Sequence, residues 1–410
     1  MIADMAELSH VIAVEGWRGP GRLDAPSDQR LAALAATGTQ LWLDTGNLEE
    51  ARRLWRREFS GLTTNNTLVN QVVQTGALDA LIRDAAHRLR GAAEAPTIAD
   101  LVMEIGFVVN CRLALRLVET FGARVSVELH PSLAHDLDGS VEYGRRYHAV
   151  CSSHFLVKVP LTPSGYCIAA RLEAQGVKVN FTLGFSARQN YIAALVSRPH
   201  FVNVFLGRLN AVVADHHLGD GRNVGEKATL AAARAIRQLR EQHPEVPTRL
   251  IAASMREASQ VKGLAGVDVQ TMPPKVAQEF LASEVSAADI NSQLDADPEV
   301  EFRSREAEKL AGALWEIDDR TRALADDLLQ ADPVTLTDDD LIRASQDHGG
   351  GLFYSFSPEE ESEIAAVGKI PDVARWAGDV PLDALMTQAG LQSFAADQRK
   401  LDDRIRALVA

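Results

Sequence analysis

Short apolar runs recur between residues 39 and 272, and longer stretches with helical spacing separate them. Short runs rich in Val, Leu and Phe are typical of buried strands, and strands that alternate with helices are typical of a parallel sheet. The pattern predicts eight strands, at residues 39–44, 59–64, 124–129, 155–160, 177–182, 201–206, 249–254 and 267–272. An α/β fold with eight strands favours a closed (β/α)8 barrel of the TIM type, and a doubly wound open sheet is the alternative.

The segments on either side of the strands have a helical pattern. Residues 1–38 predict an N-terminal helical arm, residues 39–290 the barrel, and residues 291–410 a helical C-terminal extension that packs on the barrel. Two helices are predicted in the extension, in "REAEKLAGALWEIDDRTRALADDLL" and "LQSFAADQRKLDDRIRALV". The glycines and proline of "DHGGGLFYSFSPEEES", between these two helices, predict a loop.

Composition and charge narrow the classes of partner. The chain has 42 basic and 56 acidic residues, and its net charge of −14 opposes binding to nucleic acid or to anionic membrane surfaces. Three cysteines without metal-ligand or CxxC spacing, Cys111, Cys151 and Cys167, indicate reduced thiols. No apolar run approaches the roughly eighteen residues of a membrane span, and "MIADMAELSH" lacks the order of a signal peptide. We therefore expect a soluble cytoplasmic protein.

One lysine, Lys158, lies inside the apolar run "HFLVKVPLTPSG". Charged side chains are normally excluded from a buried parallel strand, so its ammonium must find a partner, reach water or lose its proton. A lysine in water is almost entirely protonated near neutral pH, and burial disfavours the charged form. The setting favours a neutral, nucleophilic amine, and a side chain that extends to water at the strand end is the alternative.

Polar residues cluster near the carboxyl ends of the predicted strands. Taken singly, each has an ordinary structural interpretation: Asp44 as a helix N-cap, Asn65 as a turn residue, and Glu128 as a solvated strand end. In a (β/α)8 barrel, however, neighbouring strand ends converge on one cavity. Their joint placement therefore predicts one site assembled from most of the barrel. The members are Asp44, Thr64, Asn65, Glu128, Lys158, Asn180, Thr182, Asn203, Ser254 and Arg256.

Seven motifs follow one another over about residues 40–275: "LWLDTGN", "GLTTNNT", "VSVEL", "FLVKVPLTPSG", "GVKVNFTLGFS", "NVFLGRL" and "AASMR". Their order resembles that of the transaldolase family, Schiff-base enzymes that move a dihydroxyacetone unit between sugar phosphates. The final segment, "LQSFAADQRKLDDRIRAL", also resembles the closing helix of that family. The resemblance implies a transferase of carbohydrate metabolism, such as the pentose phosphate pathway, with a ketose donor, an aldose acceptor, and neither metal nor organic cofactor.

The resemblance also implies roles for individual residues. Lys158 would form the Schiff base, Asp44 would be the acid/base on the substrate hydroxyl, and Glu128 with Thr182 would hold a catalytic water. The implied substrate-binding residues are Asn65 and Asn180 for the donor hydroxyls, Arg208, Ser254 and Arg256 for the phosphate, and Asn203 and Phe205. Two positions depart from the family pattern, because Asn66 replaces the usual proline and Asn203 the usual serine.

Two other functions remain open at this stage. The fructose 6-phosphate aldolases, which release free dihydroxyacetone, resemble this chain but have glutamine and tyrosine where it has Glu128 and Phe205. Those two residues favour transfer over release. A non-catalytic sugar-phosphate-binding protein of the same fold is the third interpretation, and the combination of Lys158, Asp44 and Glu128 argues against it. The sequence leaves open the physiological sugars and the oligomeric state.

Overall fold

Eight parallel strands close a barrel in chain order, each pairing with the next and the eighth with the first. The computed structural model describes residues 4–92, 96–349 and 351–409. All eight predicted strands are present within two residues of the predicted bounds, which confirms the (β/α)8 prediction and excludes the open sheet. The strands are β1 Gln40–Asp44, β2 Phe59–Thr63, β3 Arg124–Glu128, β4 Phe155–Pro160, β5 Val179–Thr182, β6 Phe201–Phe205, β7 Arg249–Ala253 and β8 Val269–Met272.

Helices cover the outside of the barrel and both ends of the chain. Two precede the barrel, α1 Met5–Val14 and α2 Gln29–Ala36. Those that follow strands are α3 Leu48–Leu54, α4 Asn66–Gln74, α5 Asp79–Leu89, α6 Ile98–Phe121, α7 Leu137–Val150, α8 Pro163–Ala174, α9 Ala187–Val196, α10 Leu206–Asp215, α11 Val224–Gln242, α12 Ala258–Gly263 and α13 Pro274–Ala282. The extension contains α14 Arg305–Gly312, α15 Asp319–Leu328, α16 Asp338–Asp347, α17 Pro358–Val367, α18 Val373–Trp376 and α19 Leu382–Val409. Short 3-10 helices lie at Pro131–Leu133 and Ala287–Asp289. No helix in the described ranges is long and apolar enough to cross a membrane.

The strands are buried on both faces, because helices pack outside them and side chains fill the barrel. All six residues of β4 are buried, including Lys158. Parallel pairing places Glu128 of β3 beside Lys158 of β4, and Lys158 beside Asn180 of β5. Side chains of register-paired residues point to the same face of a sheet. The fold therefore sets a carboxylate, an amine and an amide in one row.

The extension differs in detail from its prediction. The helix predicted over residues 305–329 is two helices, α14 and α15, because the Asp318 side chain accepts a hydrogen bond from Thr321 N at 2.9 Å and starts a new helix. The last helix begins at Leu382, nine residues before the predicted start at Leu391. Helices α16, α17 and α18 lie between, so periodicity alone understated how much of this segment is helical.

Polar contacts along the last helix, α19, anchor it to the barrel. Near its start, the fully buried Asp383 forms a salt bridge with Arg188 at 2.7 Å. Further along, Asp397 accepts a hydrogen bond from Thr67 at 2.6 Å. These contacts hold α19 across the carboxyl ends of the strands and place Phe394 at the mouth of the barrel, where it lines the central cavity.

The three cysteines are buried and form no disulfide. Burial raises the pKa of the Cys111 thiol well above its ordinary value, and it raises the pKa of Cys167 to about 12. Both of these thiols are therefore held in the protonated, unreactive form at neutral pH.

Candidate active site

Lys158 of β4 is the middle residue of the row, between Glu128 of β3 and Asn180 of β5. It is buried, and its side chain is 5% exposed. The amine donates a hydrogen bond to the Thr64 carbonyl at 3.1 Å, and its Nζ lies 4.0 Å from Glu128 Oε2. The alternative in which the lysine extends to water at the strand end is therefore wrong. The amine faces one carboxylate and the cavity instead.

Asp44, at the end of β1, is half-buried in the wall of the same cavity. Its Oδ1 accepts a hydrogen bond from Thr63 Oγ1 at 2.6 Å. The N-cap interpretation of Asp44 is wrong, because Asn47 caps α3 by accepting from two backbone N–H groups. Burial raises the pKa of Asp44 above its ordinary value, although the charge of Lys158 acts in the opposite direction.

Glu128, at the end of β3, is buried, and burial raises its pKa in spite of the nearby Lys158 charge. Its Oε2 accepts a hydrogen bond from the backbone N–H of Asn66 at 3.1 Å. A proline, which the resemblance gives as usual at this position, has no N–H to donate. Glu128 also borders two water-sized pockets, each of about 10 Å³, that Asn66 and His130 share. The replacement of proline by Asn66 thus gives this carboxylate an additional partner.

Two buried polar atoms on β5 have no hydrogen-bond partner within the described chain: Asn180 Oδ1 and the Thr182 hydroxyl. The Asn180 side chain is oriented by its Nδ2, which donates to Ser126 Oγ at 2.9 Å. Thr182 is fully buried. Most buried polar atoms in proteins are paired, and unpaired ones often mark a ligand or water position. Asn180 Oδ1 and Thr182 Oγ1 are therefore available to a substrate hydroxyl and to a water.

Arg208, in the first turn of α10, is 7% exposed, and its Nη1 has no hydrogen-bond partner among the described residues. Its guanidinium lies 5.6 Å from the Phe205 ring centroid and 5.5 Å from that of Phe394. Burial and the neighbouring Arg256 charge lower the pKa of Arg208 to about 10. A buried guanidinium with a free donor is a typical site for a phosphate or carboxylate.

The approach of α10 to the end of β7 requires a glycine. A Cβ at Gly207 would lie 2.3 Å from the Ser254 carbonyl oxygen and 2.6 Å from Arg256 Cγ, both too close for a side chain. Ser254 itself has a left-handed backbone, with φ of 61°. This close approach brings Arg208 next to Ser254 and the exposed Arg256, the three residues predicted to bind phosphate.

Two of the predicted sugar-binding amides are engaged in local structure. Asn65 caps α4, and its Oδ1 accepts from Leu68 N at 2.9 Å. Asn203 Oδ1 accepts from Gly184 N at 3.0 Å, and its Nδ2 donates to the Phe181 carbonyl. Both residues line the cavity, but Asn203 has an existing partner for each of its polar side-chain atoms.

One cavity of about 300 Å³ brings together nine of the twelve predicted site residues. The three that do not line it are Thr64, Glu128 and Thr182. The structure adds Thr63, Thr271, Met255 and Phe394, which the sequence interpretation missed. For Phe394 a signal existed, since it lies in the segment that resembles a family closing helix. The predicted residues in the cavity are Asp44, Asn65, Lys158, Asn180, Asn203, Phe205, Arg208, Ser254 and Arg256.

The sequence profile described as Transaldolase/Fructose-6-phosphate aldolase matches residues 41–332, which contain all eight strands apart from Gln40, the first residue of β1. The chain belongs to the transaldolase/fructose-6-phosphate aldolase family. The match includes every predicted site residue and stops before α16. It therefore leaves Phe394 and most of the helical extension outside the matched residues.

Individual relatives agree with the family assignment. The chain is 32% identical over 248 residues to a probable transaldolase of Thermus thermophilus, covering 59% of this chain and 90% of the relative. It is 28% identical over 270 residues to a transaldolase of Kluyveromyces lactis, covering 63% of this chain and 78% of the relative. It is also 28% identical over 230 residues to a transaldolase of Chlamydia trachomatis, covering 53% of this chain and 67% of the relative.

Proposed function

We propose that this transaldolase-family protein transfers a dihydroxyacetone unit between sugar phosphates through a Schiff base on Lys158. The observation that carries the proposal is the position of Lys158. Its amine is buried 4.0 Å from Glu128, in the same cavity as Asp44 and the free donor of Arg208. Nucleophile, base and phosphate partner thus share one enclosed volume, as the reaction requires.

Schiff-base formation begins when the Lys158 amine adds to the donor ketone. The ionised Glu128 first accepts a proton from the attacking amine. It then returns this proton, through a water held at the Thr182 hydroxyl, to the carbinolamine hydroxyl, which leaves as water. Thr182 Oγ1 is buried and has no hydrogen-bond partner among the residues that the structure describes, so it can bind that water. The product is an iminium ion, which withdraws electrons from the neighbouring carbon–carbon bond.

Cleavage of the C3–C4 bond requires removal of the proton from the C4 hydroxyl. Asp44 is the base for this step, because its carboxylate lies in the cavity wall and Thr63 fixes it by a hydrogen bond of 2.6 Å. The bond electrons move into the iminium and leave a three-carbon enamine on Lys158. The departing aldehyde carries the phosphate, which Arg208 holds.

Transfer is completed when the enamine attacks a second aldehyde phosphate and the new iminium is hydrolysed. Release of free dihydroxyacetone competes with this step if the enamine is protonated and water reaches the resulting iminium first. Phe394 of α19 covers the cavity, with its ring centroid 5.8 Å from Lys158 Nζ. This cover favours transfer because it limits the access of water to the covalent intermediate.

Dependence on an acceptor tests the proposal. With fructose 6-phosphate alone, we expect glyceraldehyde 3-phosphate to form only to about the enzyme concentration, because the enamine has no partner. Addition of erythrose 4-phosphate starts turnover. Coupled assays for both products, with mass spectrometry after borohydride reduction, measure the burst and the mass of the retained three-carbon fragment.

The variant Phe394→Ala is the matched perturbation in that assay, since it removes the cover and leaves Lys158 and Asp44 in place. We expect it to release more dihydroxyacetone without acceptor than the unchanged enzyme. Sustained release by the unchanged enzyme would instead assign the aldolase reaction. No reaction and no borohydride adduct with any sugar phosphate would assign a binding protein.

The activity is expected to fall at acid pH. The midpoint of this fall should lie above pH 4, because the ordinary pKa of a carboxyl group is about 4. Both proposed bases must be ionised to accept protons, and burial raises the pKa of Asp44 and of Glu128. Protonation therefore occurs at a higher pH than in an exposed carboxyl group, and activity is lost as the pH falls through the raised values. The pH profile of kcat measures this midpoint.

We expect the Asn66→Pro variant to lose activity at a higher pH than the unchanged enzyme, because Glu128 becomes protonated more easily. The proline removes the N–H that donates to Glu128 Oε2, and this bond favours the ionised form. Asn66 is the first residue of α4, a position where proline is well tolerated. Asn66→Ala keeps the N–H and is the control. Equal profiles for the two variants would show that this hydrogen bond does not influence catalysis.

Arg208→Ala is expected to raise KM for phosphorylated substrates about tenfold to a hundredfold, the usual effect of losing a charge-assisted hydrogen bond. The buried Arg208 offers a free donor, whereas Arg256 is exposed at the rim, so Arg256→Ala should have the smaller effect. Comparison of the KM values for phosphorylated and unphosphorylated substrates separates phosphate binding from binding of the rest of the sugar. Equal losses on both substrate types would contradict a phosphate role.

A further inference from the structure

A second cavity of about 290 Å³ lies between the barrel and the C-terminal extension. It is similar in size to the central cavity. Its walls come from the loop after β4, from α16, from residues 352–358, from the start of α17 and from α19. Helix α16, residues 352–358 and α17 all lie beyond residue 332, where the family match ends. Much of this cavity is therefore built from sequence outside that match.

Two carboxylates give the cavity its polar character. Asp338 Oδ2 accepts a hydrogen bond from Ser164 Oγ at 2.9 Å, and Glu361 Oε1 accepts from Gln388 Nε2 at 3.0 Å. These bonds orient the side chains but use only part of their acceptor capacity, since an ionised carboxylate has about four acceptor positions. An occupant that contacts them must therefore present hydrogen-bond donors.

The charge around the cavity favours a neutral occupant. No lysine or arginine lines it within the described chain, which disfavours a phosphate. Among the described lining residues, His135 is the one basic side chain, and it lies 3.7 Å from Glu361. The first turns of α8, α16 and α17 border the cavity, and helix N-termini carry partial positive charge. Asp338 and Glu361 lie in the first turns of α16 and α17, where this partial charge stabilises them, so neither carboxylate requires a cationic partner in the cavity.

One side of the cavity is apolar and aromatic. Tyr354 and Phe356 are half-buried with ring centroids 4.7 Å apart, and the buried Leu352 and Phe353 complete this side. Small-molecule sites in proteins combine such an apolar wall with a few placed polar groups. A ligand with carbon–hydrogen faces and several hydroxyl groups matches both halves of the lining.

We propose that this cavity binds an uncharged polyhydroxylated small molecule, such as an unphosphorylated sugar or polyol, and that its occupancy is coupled to the active site. The coupling runs through α19. Gln388 and Thr387 line the cavity, and Thr387 Oγ1 donates to the Leu183 carbonyl at 2.9 Å. Leu183 directly follows Thr182, and the same helix carries Phe394 over Lys158. The coupling rests on the proposed function, whereas binding does not.

Ligand-detected NMR on the full-length protein tests binding directly. The neutral probes are erythritol, ribose and glucose, and the charged probes are inorganic phosphate and butylamine. We expect at least one neutral probe to bind, and Glu361→Gln to weaken it about tenfold through loss of a charged acceptor. Ser355→Trp, at an exposed position in the cavity wall, should block it by volume. Glu363→Gln is the control, because Glu363 pairs with Arg375 at 2.9 Å and does not line the cavity.

The same titration in the Lys158→Met variant separates this site from the active site. If the probe occupies the second cavity, its affinity for the variant should equal its affinity for the unchanged protein. Failure of every neutral probe to bind, tighter binding of either charged probe, or equal affinity in Glu361→Gln would overturn the proposal. A bound neutral probe that leaves the KM for sugar phosphate unchanged would overturn the coupling. Absence of a borohydride adduct on Lys158 would count against the proposed reaction alone, because NMR measures binding without turnover.

Discussion

Lys158→Met should abolish both turnover and the borohydride adduct, with a loss of activity of about 10⁴-fold or more, as when other covalent nucleophiles are removed. Methionine has similar length and is apolar, so it fits the buried strand position in which all neighbours along β4 are buried. The fold should be retained, because the variant removes only the charged group. Mass spectrometry after borohydride reduction reports the adduct, and thermal unfolding reports the fold.

A persisting adduct in Lys158→Met would place the nucleophile elsewhere. The matched control is Lys178→Met, a lysine outside the central cavity on the segment that leads into β5. It should retain both adduct and turnover. A loss of activity in Lys158→Met accompanied by a large fall in melting temperature would identify Lys158 as a structural residue, and the Schiff-base proposal would then be wrong.

Asp44→Asn should stop carbon–carbon cleavage, with kcat lowered about 10²- to 10⁴-fold, the usual contribution of a positioned base. The amide can accept the hydrogen bond from Thr63 but cannot take the C4 hydroxyl proton. Schiff-base formation relies on Lys158 and Glu128, so an adduct should still form with the intact ketose. Borohydride trapping would then recover a six-carbon adduct instead of a three-carbon one.

The mass of the trapped fragment distinguishes this role from a structural one. A three-carbon adduct at a normal rate in Asp44→Asn would remove Asp44 from the cleavage step. Thr63→Val is the companion variant, because it leaves the carboxylate but removes its 2.6 Å hydrogen bond. It should lower kcat less than Asp44→Asn does and still yield the three-carbon adduct.

The barrel could be predicted from the sequence because its strands are buried on both faces and therefore appear as apolar runs. The row of Glu128, Lys158 and Asn180 could be anticipated because parallel strands align their carboxyl ends. Phe394 was missed because the resemblance of the final segment to a closing helix does not say which of its residues reaches the barrel. The tertiary contacts of α19 decide this. The five helices between residues 305 and 376 were understated because helix ends depend on caps such as Asp318.

The Asn66 position shows what a motif by itself does not reveal. From the sequence, Asn66 is a departure from a usual proline within "GLTTNNT". In the structure it is the first residue of α4, and its N–H contacts Glu128, which is 62 positions away in the chain. The donor is a backbone N–H group, so this hydrogen bond cannot be inferred from the type of side chain at position 66. Only the register of β2 and β3 brings the two residues together.

The placement of α19 has a consequence for how the protein is synthesised. The helix comprises 28 residues that end at Val409, and it supplies Phe394 over Lys158 together with the buried Asp383 that pairs with Arg188. A nascent chain can complete all eight strands while these residues are still inside the ribosome. The barrel would then exist with its mouth uncovered and Arg188 without its carboxylate. The covered active site is therefore expected to form only after α19 has left the ribosome and packed on the barrel.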